Sequence, residues 1–338
     1  MKQFHLRKTP PSSPIDYHID YESALNQQQL SAVTSPAKRL LILAGAGTGK
    51  TKTLIYKVSR LIESGVPPEQ IVLLTFTRRA AKEMMERATQ LLDERCQYVQ
   101  GGTFHSFCTQ ILRKYSNHIG YNNEFSIIDS ADSIDLIQHV RSTLNIDHRS
   151  QRFPAKRSLA KLFTLHKNKQ LDMRVLLQEY YPQFLVHEKD VIRLFKTYES
   201  YKAKHYIMDF DDLLFNTEKL FTEYPAILER VSSTCQYVLV DEFQDTNKIQ
   251  ASLCEYFSSF HQNLTVVGDD AQSIYAFRGS DYENILRFPE EHANTELIKL
   301  EENYRSSPEI LEVANAVLKQ SSILFKKKLF TNRESSDL

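Results

Sequence analysis

Tryptophan is absent from the 338 residues, and cysteine is scarce: Cys96, Cys108, Cys235 and Cys254 lie far apart with no CxxC pair. That spacing argues against a zinc site and, in a chain of this length, against a disulfide framework; a reducing cytoplasm is the expected compartment. Net charge is absent too, with 42 basic and 42 acidic residues, so the global balance neither demands nor excludes a polyanionic partner. No stretch approaches the roughly 18 apolar residues of a membrane span. The opening "MKQFHLRKTPPSSPIDYHID" carries Pro and Ser where a secretory signal would need an apolar run, so no membrane association is expected. What is plentiful is ring surface, 17 Tyr and 19 Phe, available to cores or to base stacking.

The length suits about two domains. Residues 1–20, interrupted by Pro10, Pro11 and Pro14, read as a flexible lead-in. Beyond them "RLLILA" (39–44) and "IVLLTF" (71–76) read as buried strands, each followed by a helical pattern, "KTLIYKVSRLIESG" and "RRAAKEMMERATQLLDER". That alternation is βαβ and implies a parallel sheet flanked by helices. Further strands are expected at "YVLV" (237–240), "LTVVG" (264–268) and "ELIKL" (296–300). Between 114 and 206 the chain is charge-rich and helical, which predicts an all-helical insertion in one α/β domain of residues 21–113 and 207–298. Inside it, 148–171 holds Arg149, Arg152, Lys156, Arg157, Lys161, Lys167 and Lys169 without one acid, a candidate phosphate-backbone surface or a solvated helix face.

Two segments carry the chemistry. "LILAGAGTGKT" (41–51) follows a strand and opens a helix, the setting of a phosphate-binding loop. The glycines Gly45, Gly47 and Gly49 let backbone N–H groups converge on phosphate oxygens, Lys50 would reach the β and γ phosphates, and the Thr51 hydroxyl would ligate Mg²⁺. Ala44 stands where the strict pattern has Gly. Expected nucleotide contacts run through Ala44, Gly45, Ala46, Gly47, Thr48, Gly49, Lys50, Thr51 and Lys52. "VLVDEFQDTN" (238–247) then ends a strand in Asp241, Glu242 and Asp245. Desolvated carboxylates need a cationic partner. Asp241 is the expected Mg²⁺ ligand and Glu242 the general base that polarises the attacking water, the two strand tips being adjacent. Gln244 and Asp245 are expected to hold the loop in register.

With these two segments in place, the chain resembles superfamily 1 DNA helicases of the UvrD/Rep/PcrA type. "LNQQQLSAV" (25–33) is similar to the family's Q motif, "LTFTRRAAKEM" (74–84) to motif Ia, "GGTFHSFC" (101–108) to motif Ib, "VVGDDAQSIYAFRGS" (266–280) to motif III and "LEENYRSSPEI" (300–310) to motif IV. The resemblance implies a P-loop NTPase, RecA-like motor lobe, with Gln29 reading the adenine edge, Tyr304 stacking on adenine, and Gln272 and Arg305 at the γ-phosphate. It further implies a single-strand track over Phe76, Thr77, Phe104, His105, Tyr275 and Phe277, with Arg278 tying that segment to the ATP side. Phe277 stands where relatives often carry Trp. "DFDDLL" (209–214) matches a family segment and is assigned a structural role.

By the same resemblance residues 114–206 would be subdomain 1B, and 299–338 the start of an incomplete second lobe. The implied activity is an ATP-dependent DNA helicase or translocase of 3′ to 5′ polarity, using ATP and Mg²⁺ on single-stranded DNA and single-/double-strand junctions, in repair, replication or recombination. Loading proteins and a further C-terminal helicase region are the implied partners. The alternative is an ATP-gated DNA-binding module with no unwinding of its own. A P-loop kinase or GTPase is disfavoured, because no NKxD segment is present.

Overall fold

The computed structural model describes residues 17–144, 146, 153–274, 280–320 and 325–333. Six strands, β1 (Arg39–Ala44), β2 (Ile71–Thr75), β3 (Gln100–Thr103), β6 (Tyr237–Val240), β7 (Leu264–Gly268) and β8 (Glu296–Leu300), form one parallel sheet in the order β3-β2-β6-β7-β1-β8. A second, two-stranded parallel sheet joins β4 (Ser126–Ile127) to β5 (Ile207–Met208). The inner strands β1, β2, β6 and β7 are nearly continuous apolar runs because both faces are covered. Along β1 the pleat sends Leu41 and Leu43 into one core and Leu40 and Ile42 into the other. Register is set by the same packing: Ile42 lies between Val267 of β7 and Ile298 of β8.

The helices, in chain order, are α1 (Tyr21–Ala24), α2 (Gln27–Thr34), α3 (Lys50–Glu63), α4 (Arg78–Leu91), α5 (Phe104–Tyr115), α6 (Ser130–Thr143), α7 (Lys156–Lys169), α8 (Met173–Tyr180), α9 (Glu188–Lys204), α10 (Phe210–Glu223), α11 (Pro225–Ser232), α12 (Lys248–Ser258), α13 (Glu283–Glu291) and α14 (Pro308–Lys319). Side-chain caps define many starts: Asn26, Asp209 and Asn247 each close a capping box on α2, α10 and α12.

Residues of α6, α7, α8 and α9 share a core of their own, built on Ile137, Leu159, Phe163, Leu176, Val191 and Leu194. Phe107, Cys108, Ile111, Leu112 and Phe125 instead join the sheet's core. The chain between 114 and 125 therefore packs with the sheet, and the separate helical core begins after β4. β4 and β5 lie side by side, so the chain enters and leaves this helical unit at one place. At the other end, residue 299 falls inside β8, the edge strand beside β1. At the N-terminus Ile19 is buried with Tyr21, Leu25 and Val33, and His18 N–H donates to Glu63 Oε1 at 2.6 Å, so the described part of the lead-in is anchored.

Where α9 and α10 meet, an ionic cluster is buried. Lys202 Nζ, fully buried, lies 2.5 Å from Asp209, 2.6 Å from Asp212 and 2.9 Å from Glu199; Lys167 Nζ lies 2.5 Å from Asp212 and 2.9 Å from Glu199. Glu199, Asp209 and Asp212 are close enough to share a metal ion, but the two ammonium groups already supply the counter-charge. Burial works against the charged ammonium of Lys202, yet Asp212, Asp209 and Glu199 hold its pKa well above the ordinary lysine value. The "DFDDLL" stretch is thus a junction: Asp209 and Asp212 cap α10 and also bind the lysines of α7 and α9.

Candidate functional site

The loop between β1 and α3 turns on two left-handed glycines. Gly47 has φ 78° and lies against Asn303 and the Arg305 Cβ; Gly49 has φ 85°, and a Cβ there would meet Gln29 Nε2 at 2.6 Å. The conformation and the close approach both require glycine. Gln29 itself is fully buried; its amide N–H donates to the Thr48 carbonyl at 3.0 Å and its amide oxygen accepts from Asn26 N–H at 3.3 Å. This corrects the expected role: Gln29 braces the loop, and its amide is not open to an adenine. Lys52 also leaves the site, donating to the Ala24 carbonyl at 2.6 Å and lying over the Tyr56 ring.

Lys50, the first residue of α3, is directed across the sheet's carboxyl edge, where its Nζ lies 2.7 Å from Glu242 Oε2. One strand, β7, separates β1 from β6, so the two tips are not adjacent as expected; the long side chains of Lys50 and Glu242 close the gap. Glu242 is turned by a left-handed backbone with φ 52° rather than by the alternation of a strand, which ends at Val240. Its Oε2 also accepts from Gln244 Nε2 at 2.9 Å.

Asp241 is buried, and its Oδ1 has no hydrogen-bond partner. Burial, then the neighbouring Glu242, push its pKa up to about 7 against the pull of Lys50. Asp245 repeats the pattern, with an unpartnered Oδ1 and a pKa raised to about 6, mainly by burial. Two orphaned carboxylate oxygens beside a phosphate-loop helix suit a hard divalent cation with oxygen ligands. Asp241 fits as a holder of Mg²⁺, which when bound would neutralise phosphate charge.

The C-terminal part of the chain covers the loop. Asn303 Nδ2 donates to the Ala46 carbonyl at 2.5 Å and Tyr304 N–H to the Gly47 carbonyl at 2.9 Å. The Tyr304 hydroxyl accepts from Asn26 at 2.8 Å and donates to Glu302 at 2.9 Å, leaving its ring half exposed above the loop. Arg305 sits on Gly47. Gln272 Nε2 donates to Asp269 Oδ2 at 2.5 Å at the end of β7. Loop, carboxylates, Gln272, Tyr304 and Arg305 therefore gather along one edge of the sheet.

A family model described as "UvrD/REP helicase N-terminal domain" matches residues 25–293. The chain belongs to the UvrD/REP helicase family. Over 314 residues, 93% of this chain and 42% of the relative, it is 40% identical to a protein named ATP-dependent DNA helicase PcrA from Staphylococcus epidermidis (strain ATCC 35984). The Staphylococcus aureus (strain Mu50) protein of the same name is 38% identical over 308 residues, 91% of this chain and 41% of the relative. The chain thus spans about two fifths of the length of these curated relatives.

Within this UvrD/REP domain the expected DNA track divides. Phe76, at the end of β2, is 42% exposed, and Thr77 caps α4 by accepting from Ala80 N–H at 3.1 Å. Phe104 is buried in the sheet's core and presents no stacking face, a correction that follows from its place at the start of α5 against that core. His105 remains, edge-on to Phe210 with ring centroids 5.9 Å apart; burial, then Arg78, lower its pKa. Phe210, 43% exposed, belongs to the "DFDDLL" stretch, to which the sequence assigned only a structural role. Tyr275, Phe277 and Arg278 lie outside the described residues, as do Arg149 and Arg152. Of the remaining basic block, Lys167 is buried in the ionic cluster and Lys156 pairs with Asp135 at 2.7 Å. Arg157, Lys161 and Lys169 line a cavity of about 1020 Å³ whose wall includes Phe210 and Tyr180. Among the described residues no helix is long and apolar enough to cross a membrane.

Proposed function

We propose that this chain is the ATP-binding motor lobe of an ATP-dependent DNA helicase or translocase moving 3′ to 5′ on single-stranded DNA in the cytoplasm. The reading rests above all on one observation: Lys50 of the phosphate loop meets Glu242 at 2.7 Å, beside the buried, unpartnered oxygen of Asp241. A triphosphate on the Gly45–Thr51 loop competes with Glu242 for the Lys50 ammonium. Once released, the Glu242 carboxylate, aimed by Gln244, accepts the proton of the attacking water. Thr51 and Asp241 would hold Mg²⁺, which would supply positive charge to the phosphates. Tyr304 offers its ring to the adenine, and Gln272 and Arg305 approach the terminal phosphate.

Single-stranded DNA crosses the exposed rings of Phe76 and Phe210 and the half-buried ring of His105, stacking without sequence preference. Arg157, Lys161 and Lys169 add salt-sensitive backbone contact near a single-/double-strand junction. The names of the relatives, ATP-dependent DNA helicase, support the assignment of substrate class. Loading proteins and a second motor lobe are the partners such a machine would need.

The test is phosphate release from the chain with and without single-stranded DNA. DNA-stimulated turnover that disappears in Lys50→Ala and in Glu242→Gln is expected; turnover indifferent to both substitutions rejects the reading. A second reading, an ATP-gated DNA-binding module, is separated by the same assay. Nucleotide binding with hydrolysis at background selects it.

A further inference from the structure

Asp269 and Asp270 close β7 and are both buried, so their charges need a partner inside the protein. It arrives from 57 residues further along the chain. The Lys327 ammonium, on a side chain 2% exposed, is ion-paired to Oδ1 of both carboxylates. The segment carrying it is fastened along its length. Phe325 N–H donates to Asp270 Oδ2 at 2.7 Å, and Leu329 exchanges backbone hydrogen bonds with the Asn315 amide at 2.7 and 2.9 Å. Phe330 N–H donates to the Glu301 carbonyl at 3.0 Å, and the Phe330 carbonyl accepts from Asn303 N–H at 2.7 Å. Leu329 is buried against Gly45 of the phosphate loop.

Asp269 is the hub of this arrangement. One of its oxygens is held by Lys327, and the other accepts the Gln272 amide at 2.5 Å. Its own N–H donates to Gln244 Oε1 at 3.0 Å, and the Gln244 amide donates in turn to Glu242. The same segment reaches the other side of the nucleotide site: Arg333 Nη1 donates to the carbonyls of Tyr304 and Arg305 at 3.2 and 2.8 Å.

We propose that Lys327 is a positioning residue of the nucleotide site, acting through Asp269 to hold the Gln272 amide where it meets the terminal phosphate. A carboxylate anchored by a buried cation on one oxygen presents the other in a fixed direction. Without that cation, two neighbouring buried carboxylates repel each other and turn towards water, taking Gln272 with them. Segment 325–333 is then part of the nucleotide site rather than a passive extension of the fold. The inference rests on the reading of Gln272 as the γ-phosphate contact.

The test compares affinities for fluorescent ATP and ADP analogues, with Mg²⁺, in the 338-residue chain and in Lys327→Met, Lys327→Arg, Gln272→Ala and the Lys327→Met/Gln272→Ala pair. Lys327→Met is expected to lower the preference for ATP over ADP about tenfold, as Gln272→Ala does, with ADP affinity kept. The pair should fall no further than Gln272→Ala alone, and Lys327→Arg should restore the preference. An unchanged preference in Lys327→Met overturns the proposal, as does an equal loss of ATP and ADP affinity or a further fall in the pair. Should Lys327→Met fail to fold, Lys327→Met/Asp270→Asn, which removes part of the stranded charge, takes its place. If the parent chain binds neither analogue, the nucleotide reading has failed on its own, and amide exchange over residues 269–274 judges the positioning claim. Faster exchange in Lys327→Met, restored by Lys327→Arg, supports it, and unchanged exchange overturns it.

Discussion

Glu242 holds a left-handed backbone with φ 52°, an uncommon conformation for a residue with a Cβ and one that costs free energy unless its surroundings fix it. What fixes it are the Lys50 ammonium and the Gln244 amide on the same carboxylate oxygen. Replacement therefore separates binding from chemistry. Lys50→Ala is expected to weaken nucleotide affinity by about tenfold or more, since a charge-assisted contact to phosphate is lost. Glu242→Gln should leave affinity within about twofold while hydrolysis falls by roughly 10²-fold or more. Equal effects of the two substitutions on binding and turnover would refute the division of roles. Phe104, expected in the DNA track, and Phe210, not expected there, separate in the same way. Phe210→Ala should weaken single-strand affinity by roughly 1–3 kcal/mol with little change in stability. Phe104→Ala, emptying a buried site, should cost about 3–5 kcal/mol of folding free energy in a urea titration. The sequence alone could not distinguish them, because exposure depends on what faces each ring. Phe104 faces the sheet's core and Phe210 does not.

At the scale of elements, the strands were the most legible part. β1, β6, β7 and β8 coincide with the runs read from the sequence; β1, β6 and β7 are apolar because buried parallel strands must be apolar on both faces. β3 escaped, because "QGGT" has no apolar side chain to signal a strand; it pairs through its backbone with β2. The basic block of α7 was legible as charge but not as location. Lys167 is buried because its partners, Asp212 and Glu199, come from α10 and α9, more than 30 residues along the chain. Removing one member of that cluster strands the others: Lys202→Met is expected to destabilise the fold by about 3–5 kcal/mol, and adding Asp209→Asn should recover part of the loss. A loss under about 1 kcal/mol would contradict the structural role given to this junction. The packing of α3 on α2 carries a pH signature. Lys57 Nζ is buried on the Ala32 carbonyl, and burial lowers its pKa from 10.5 to about 8. Between about pH 8 and 10.5 the unfolded chain retains a proton that the folded chain has released, so this group makes stability rise with pH across that window. Lys57→Met should flatten the rise in Tm, measured as the difference between parent and variant; an identical pH profile would contradict the assignment.

For the whole molecule, the order of segments in the sequence was enough to anticipate one sheet bearing a phosphate loop and an acidic strand end on the same edge. The route by which they meet was not, because β7 enters between them from a later part of the chain and the closing contact is made by two long side chains. Nor did the sequence, in which 299–338 reads only as the start of a second lobe, show that Lys327 would lie between Asp269 and Asp270. Thr51 and Asp241 are expected to act on one divalent ion at the phosphate loop. The most direct measurement is ATP-analogue affinity with and without Mg²⁺ in the parent, Thr51→Val, Asp241→Asn and the double variant. Mg²⁺ should strengthen binding in the parent, and most of that gain should vanish in either single variant with no further loss in the double. A Mg²⁺ gain that survives Asp241→Asn, or two losses that simply add, would contradict a shared ion.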